Sequence, residues 1–188
     1  MQFTTHTDTG CLRACAQLAM GHTQELVFDV ERYHRLLGQA GQLACPGSRL
    51  LRHYVYDGVR LGRPTESQPA IDRAADFTGR WGKINVQGAQ KGVDTMIAVD
   101  MVMMACRRIV GDVILVGSDF EIHAGFEAAK SSGARVHLVD LEAVGSRPCR
   151  ERFCRISIPS MADQVSYGAR TLDESPCSTS KGCAFRSM

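Results

Sequence analysis

Apolar and polar positions alternate in a pattern that predicts strands separated by helices over about the first 140 residues. Residues 3–7 are compatible with a strand, and the apolar positions of 12–20 recur at helical spacing, so a strand-to-helix turn is predicted at 8–10. A second helix is predicted after Asp29, its expected N-cap, because apolar residues then recur in steps of three and four. Those residues are Tyr33, Leu36, Leu37 and Ala40. A loop is predicted at 41–47.

The same alternation continues toward residue 139. Further strands are predicted at 50–56, 81–86, 112–116 and 135–139, and further helices at 70–77, 93–109 and 122–131. Asp57-Gly58 is predicted to be a turn that closes a strand, and the almost continuously apolar helix at 93–109 is expected to be buried on most sides. Strand-helix alternation of this kind predicts an α/β fold with a mainly parallel, doubly wound sheet, in which binding sites form beyond the carboxyl ends of the strands.

The last 46 residues of the 188 differ from the rest. Their periodicity fails, although 153–158 is a candidate edge strand, and the end of the chain is rich in serine and cysteine. Seven basic residues stand against four acidic ones here, while the whole chain carries a formal charge of only +2. We therefore predict one domain over 1–142 and a basic, partly disordered tail over 143–188. The tail suits the holding of RNA, but a solvated basic end explains its charge equally well.

Cysteine usage and hydropathy restrict the cellular setting. The eight cysteines include no C-x-x-C pair and have no regular spacing with histidine, which argues against a zinc site. The start of the chain lacks the basic segment of an export signal, so we expect reduced thiols and a cytoplasmic protein. No uncharged apolar run approaches the roughly 20 residues needed to cross a bilayer.

Carboxylates fall where predicted elements meet. Asp8 follows the first strand, Asp94 opens the long helix, and Asp119 follows the strand at 112–116 together with Glu121. Magnesium prefers oxygen ligands, and clustered carboxylates are costly unless a cation neutralises them. Two ions about 3.5–4 Å apart activate water and stabilise a leaving oxygen, so this pattern indicates hydrolysis of phosphodiester bonds.

Helix capping is the alternative interpretation of these residues. Asp8, Asp94 and Asp119 also stand where helix N-caps would fall, and aspartate is a favoured cap. Asp100 lies six residues after Asp94, about 120° around the helix, so it is predicted to support the site from behind or to be solvated.

Other site types fit the sequence poorly. Asp8-Thr9-Gly10 spells the aspartic-protease motif, but that chemistry needs two such carboxylates, and a helix is predicted to follow. Neither G-x-G-x-x-G nor G-x-x-x-x-G-K-[ST] occurs, which excludes the usual dinucleotide and P-loop sites. His53 and His137 lie in apolar strands and are predicted to be packed or hydrogen-bonded rather than catalytic bases.

Two segments resemble a known family. The sequence K-G-V-D-T-M-I-A-V-D at 91–100 resembles the K-G-V-D-x-x-[LI]-x-x-D signature of NYN domains, which are PIN-like ribonucleases. At 114–121, I-L-V-G-S-D-F-E is similar to the second signature, a strand followed by S-G-D-x-D, with Gly-Ser in inverted order and Glu in place of the last Asp. D-T-G-C-L at 8–12 resembles the family's opening motif, D-x-G-x-L or D-x-x-N-L, and Y-V-Y-D-G at 54–58 is typical of bacterial, LabA-like members. The resemblance covers about residues 3–141.

The resemblance implies a PIN-like three-layer α/β/α sandwich and metal-dependent endonucleolytic cleavage of RNA, with single-stranded RNA as the expected substrate. It implies that Asp8, Asp94 and Asp119 bind Mg²⁺ or Mn²⁺ and that Glu121 joins them as a fourth catalytic carboxylate. The residues implied in supporting roles are Lys91, Asp100 and Ser118, with Lys91 approaching phosphate. A homodimer is compatible with this interpretation. The rival hypothesis is an inactive NYN module that binds RNA or protein.

Overall fold

The computed structural model describes residues 1–20, 29–117, 122–139 and 154–156. Seven strands are present in this part of the chain: β1 (Gln2–Asp8), β2 (Arg49–Arg60), β3 (Phe77–Ile84), β4 (Gln90–Lys91), β5 (Asp112–Val116), β6 (Arg135–Val139) and β7 (Cys154–Ile156). Five helices accompany them: α1 (Thr9–Met20), α2 (Val30–Ala44), α3 (Gln68–Arg73), α4 (Val93–Cys106) and α5 (His123–Ser131).

The strands form one sheet in the order β4-β3-β2-β1-β5-β6-β7. All neighbouring pairs are parallel except β3 with β4. The chain moves outward from β1 to β4 and then crosses back to place β5 on the other side of β1. This arrangement confirms the predicted α/β fold with a mainly parallel, doubly wound sheet, and its order reverses between β1 and β5.

Helices cover both faces of the sheet. One apolar cluster joins α1, α2 and α3 to residues such as Phe3 and Val55 on the first face. A second joins α4 and α5 to residues such as Val113 and Leu138 on the other. Because β1 and β5 lie between these clusters, their side chains are buried on both sides.

The central strand β1 is polar despite this burial. Thr4, Thr5, His6 and Thr7 are fully buried. Their partners are other buried side chains: Thr5 with His53 at 2.8 Å, Thr7 with Tyr33 at 2.6 Å, and His6 with Tyr56 at 2.8 Å. Desolvation lowers the pKa of both His6 and His53 to about 3, so each imidazole is neutral. The hydrogen bonds offset the cost of burying these polar groups.

Helix α2 extends beyond its predicted end. It begins after its predicted cap, Asp29, whose side chain accepts a hydrogen bond from the N–H of Arg32 at 3.0 Å. It continues to Ala44, so the loop predicted at 41–47 is wrong in its first half. Gly41 lies against the ring of Phe3, where an added Cβ would be 2.1 Å from a ring carbon. Its missing side chain allows the helix to pack on β1.

Strand β2 does not end at Asp57-Gly58 as predicted. Both residues lie inside the strand and pair with Trp81 and Gly82 of β3. The following segment is also shifted, since the helix predicted at 70–77 spans Gln68–Arg73 and the strand predicted at 81–86 spans Phe77–Ile84. The side-chain partners of Asp57, described below, explain why the strand continues.

Helix α4 is shorter and more exposed than predicted. It ends at Cys106, and Arg108 shortly afterwards adopts a left-handed conformation with φ of 53°. Val99 is 52% exposed and Met103 is 40% exposed, so the expectation of burial on most sides is wrong. The buried side of α4 rests on the sheet and on α5, where Gly125 lies against Ala98.

Two further sequence predictions concern the end of the chain and membranes. Strand β7 lies within the candidate edge strand at 153–158 and pairs with β6, while the rest of the tail, 143–153 and 157–188, lies outside the described residues. Among the described helices, none has the length and apolar character needed to traverse a bilayer.

Candidate functional site

Asp8 is the last residue of β1, beside the point where the strand order reverses. Its side chain is buried, and Oδ1 accepts hydrogen bonds from the N–H groups of Gly10 at 2.8 Å and Cys11 at 3.2 Å. These bonds cap the start of α1, so the capping interpretation holds for this oxygen of Asp8. They also hold the carboxylate at the carboxyl edge of the sheet.

Asp94 is the second residue of α4 and is half-buried. The residue at the N-cap position is Gly92, with φ of 81°, so the alternative of Asp94 as the cap is wrong. A negative charge in the first turn still favours the helix electrostatically. Because α4 starts immediately after β4, which pairs with the end of β3, Asp94 lies at the same edge as Asp8.

Asp8 and Asp94 also share a face of the sheet. Alternate residues of a strand point to the same side, which places Asp8 with His6. His6 is bonded to Tyr56, and the Tyr56 hydroxyl donates to Asp100 of α4 at 3.0 Å. The face that carries Asp8 is therefore the face that α4 covers.

The remaining predicted carboxylates follow β5. Ser118, Asp119 and Glu121 lie outside the described residues. The strand that precedes them is central to the sheet, and its last residue, Val116, pairs with Thr7.

Asp100 is a buried carboxylate that pairs with the partly exposed Arg80 beneath this edge. Arg80 of β3 donates from Nε at 2.8 Å and from Nη2 at 2.6 Å, and Asp100 is only 9% exposed. Burial alone would raise the pKa of Asp100, but the hydrogen bonds from Arg80 and Tyr56 outweigh it and lower the pKa. Asp100 is therefore not simply solvated. It fixes Tyr56, which is paired in register with Asp8.

Sequence reasoning missed Asp57 as part of this edge. Its carboxylate accepts both terminal nitrogens of Arg13 from α1, one of them at 2.9 Å. It also accepts from the side-chain amides of Gln68 at 3.3 Å and Gln90 at 2.8 Å. Asp57 thus ties β2 to α1, α3 and β4. The sequence signal was weak, because Asp57 is one of several charged residues in this strand and lies in a predicted turn.

Exposed basic side chains flank the acidic edge. Lys83 of β3 and Lys91 of β4 are register partners, and neither forms an ion pair with another described residue. Like charges placed opposite each other on adjacent strands repel. An anion between them would relieve that repulsion, so Lys91 and Lys83 are suited to contact phosphate.

Comparisons with known proteins bear on the fold and leave the activity open. No family model matches the chain. It is 39% identical over 74 residues to uncharacterized protein y4oD of Sinorhizobium fredii, a match that spans 39% of this chain and about a third, 35%, of that relative. The crystal structure of a protein of unknown function from Vibrio parahaemolyticus is similar with a TM-score of 0.51 at 17% identity, covering 73% of this chain and 79% of that one. At that identity the likeness shows the fold alone.

Proposed function

We propose that this protein is a Mg²⁺- or Mn²⁺-dependent endoribonuclease in which Asp8, Asp94 and Asp119 hold the metal and Glu121 assists. The observation that carries the proposal is the position of Asp8 at the end of β1, where the strand order reverses, with Asp94 in the first turn of α4 at the same carboxyl edge. Ligands of open α/β sheets bind at such reversal points. We extend the proposal to the finer fold and assign the domain to the PIN-like three-layer class.

Asp119 is included because it follows closely after the end of β5, the strand beside β1. Val116 of β5 pairs with Thr7 of β1. Asp8 is one residue beyond Thr7, and Asp119 is three residues beyond Val116. A short connection from β5 therefore starts beside Asp8. Three carboxylates at this point would supply the oxygen ligands that a hard divalent cation prefers.

The surrounding side chains have separate tasks in this proposal. A bound Mg²⁺ or Mn²⁺ would activate water and neutralise charge on phosphate. Asp8 keeps Oδ1 on the backbone of α1, and a carboxylate offers further lone pairs for ligation. Arg13 and Arg80 hold Asp57 and Asp100 in place and thereby fix the strand ends. Lys83 and Lys91 attract the RNA backbone.

The test is cleavage of a labelled single-stranded RNA by the purified full chain with Mn²⁺ or Mg²⁺. Asp8→Asn, Asp94→Asn and Asp119→Asn should each lower the rate by at least about 100-fold, because even residues that only orient metal ligands contribute about 10–100-fold. Asp8→Asn keeps a capping oxygen, so the fold should persist. Asp29→Asn, an exposed cap far along the chain from these residues, is the matched control and should leave the rate unchanged.

Two results would contradict the nuclease proposal. One is cleavage that needs no metal or survives Asp119→Asn. The other is the absence of cleavage across diverse RNAs, together with thermal stability that does not respond to Mg²⁺ or Mn²⁺. If RNA still binds in the second case, the chain is the inactive binding module of the rival hypothesis.

A further inference from the structure

A second group of metal-ligating side chains lies at the opposite, amino edge of the sheet. Cys45 directly follows α2, Asp112 is the first residue of β5, and His137 is in β6. One ligand atom from each lies within 4.8 Å of the other two, and all three residues are buried. They are separated by 67 and 25 positions in the chain, so no sequence spacing could reveal them.

We propose that Cys45, Asp112 and His137 form a site for one thiophilic divalent cation, for which Zn²⁺ has the best-matched chemistry. Zinc binds thiolate, imidazole and carboxylate at about 2.0–2.3 Å in a tetrahedral arrangement. Such bonds place ligand atoms about 3.5 Å apart, so closing the present triad requires shifts on the order of 1 Å. Hard cations such as Mg²⁺ avoid sulfur, which separates this site from the carboxylate site.

The hydrogen bonding of His137 supports a ligand role. One ring nitrogen, Nε2, is 2.9 Å from Oδ1 of Asp112. The other, Nδ1, is buried and has no hydrogen-bond partner among the described residues. A buried polar atom left without a partner is unusual in a packed interior. A neutral imidazole can ligate a metal through either nitrogen once its proton resides on the other.

The guanidinium of Arg135 occupies the position beside Asp112 that a metal ion would take. Its Nε donates to Asp112 at 2.7 Å and its Nη2 donates at 2.8 Å. Unlike the buried triad, its side chain is 65% exposed, so the guanidinium can rotate into water without being stranded. Arg135 thus neutralises and covers the carboxylate of the triad.

Metal binding is therefore an exchange of cations. The two Arg135–Asp112 hydrogen bonds break, Cys45 releases its thiol proton to solvent, and bonds form from the ion to sulfur, carboxylate oxygen and Nδ1 of His137. The ring proton stays on Nε2, which keeps its hydrogen bond to Asp112. A water completes four-coordination. The dication balances one thiolate and one carboxylate, so the buried site has no net charge, and the end of α2 becomes linked to β5 and β6.

Zinc binding to the reduced, metal-free full chain tests this assignment. Isothermal titration with Zn²⁺ should show one more equivalent in the unmodified protein than in Cys45→Ala, and Zn²⁺ should raise the melting temperature of the unmodified protein by more than that of the variant. Co²⁺ should give a thiolate-to-metal absorption band that Cys45→Ala lacks. Cys106→Ala is the matched control, because Cys106 is an exposed thiol on α4, and it should behave like the unmodified protein. Any Zn²⁺ or Co²⁺ bound by cysteines of the tail is the same in every variant and cancels in the comparison.

Arg135→Gln gives an independent and opposite result. Removing the competing cation should tighten Zn²⁺ binding by about tenfold or more, whereas a purely structural ion pair predicts no effect on zinc. Equal stoichiometry and affinity in the unmodified protein and Cys45→Ala would overturn the proposal. If Cys45→Ala fails to fold, as seen by circular dichroism, Arg135→Gln decides alone, and unchanged or weaker binding overturns the site. Neither outcome depends on RNA cleavage.

Discussion

The two edges of the sheet each contain a buried aspartate paired with an arginine, but the arginines differ. At the carboxyl edge, Asp57 binds Arg13, whose side chain is 29% exposed, together with two amide side chains. At the amino edge, Asp112 binds Arg135, whose side chain is 65% exposed, together with His137. The carboxylates are almost equally buried, with 5% and 0% exposure of their side chains.

This difference shows that the exposure of the arginine determines how easily a buried aspartate can exchange its partner. When most of the arginine side chain is covered and the aspartate has further amide partners, as for Arg13 and Asp57, separating the pair costs more, so the pair acts as a fixed part of the framework. When the guanidinium reaches solvent, the pair can open at lower cost. The carboxyl edge is therefore a rigid frame for Asp8, and the amino edge is suited to exchange one cation for another.

Acid provides the largest expected effect, because two buried neutral imidazoles lie between the two edges, inside β1 and β2. The pKa of His6 and of His53 is about 3 in the folded protein, below the ordinary value of 6.5 that applies to the unfolded chain. Between these values the unfolded chain binds more protons, so stability rises with pH and is lost as the pH falls below 6.5. Each histidine contributes at most about 1.4 kcal/mol per pH unit, which gives a loss of about 4 kcal/mol from pH 8 to pH 5.

Urea unfolding at pH 8, 6.5 and 5 measures this loss. His53→Gln should remove about half of the pH dependence, because His6 then titrates alone. A free energy of unfolding that is flat between pH 8 and 5 would show that neither imidazole is held neutral.

Asp57→Asn is the next largest expected effect. The variant removes the negative charge that pairs with Arg13. It also places an amide NH2 group among the donors of Arg13, Gln68 and Gln90, so the free energy of unfolding should fall by about 3 kcal/mol. The midpoint of urea unfolding at pH 7 checks this value. A loss below about 1 kcal/mol would mean that the carboxyl-edge pair is not a fixed part of the framework.

Asp112→Asn should have the smallest effect of the three. Arg135 is able to rotate into water, and an amide oxygen can still accept from His137, so a loss of about 1.5 kcal/mol is expected despite the complete burial of Asp112. The same urea experiment gives the comparison directly. Equal losses for the two variants would contradict the contrast between the two edges.

Local patterns predicted the elements whose stability is mostly local or apolar. The cap at Asp29, the apolar strand β5 and the alternation of strands with helices were all visible in the sequence. The end of β2 was not visible, because a strand continues through Asp57 only if Arg13, Gln68 and Gln90 arrive from three other elements. The end of α2 likewise depends on Phe3 packing against Gly41.

The candidate site was predictable to a similar extent. The positions of Asp8 and Asp94 at element boundaries followed from local patterns, whereas the roles of Asp57 and Asp100 depend on long-range arginine partners. The pairing of Lys83 with Lys91 required the antiparallel β4, a two-residue strand too short to show a pattern. Long-range geometry, which a single sequence does not display, accounts for these omissions.

The polar side chains of β1 also solve a problem of strand alignment. A strand buried on both faces has no solvent-facing side, so slipping by one residue would not expose an apolar row, and hydrophobicity alone specifies its alignment weakly. Hydrogen bonds are directional, and a slip of β1 would separate Thr5 from His53, Thr7 from Tyr33 and His6 from Tyr56 together. The threonines and the histidine therefore fix the register of β1 at the centre of the sheet. That register determines where Asp8 lies at the carboxyl edge.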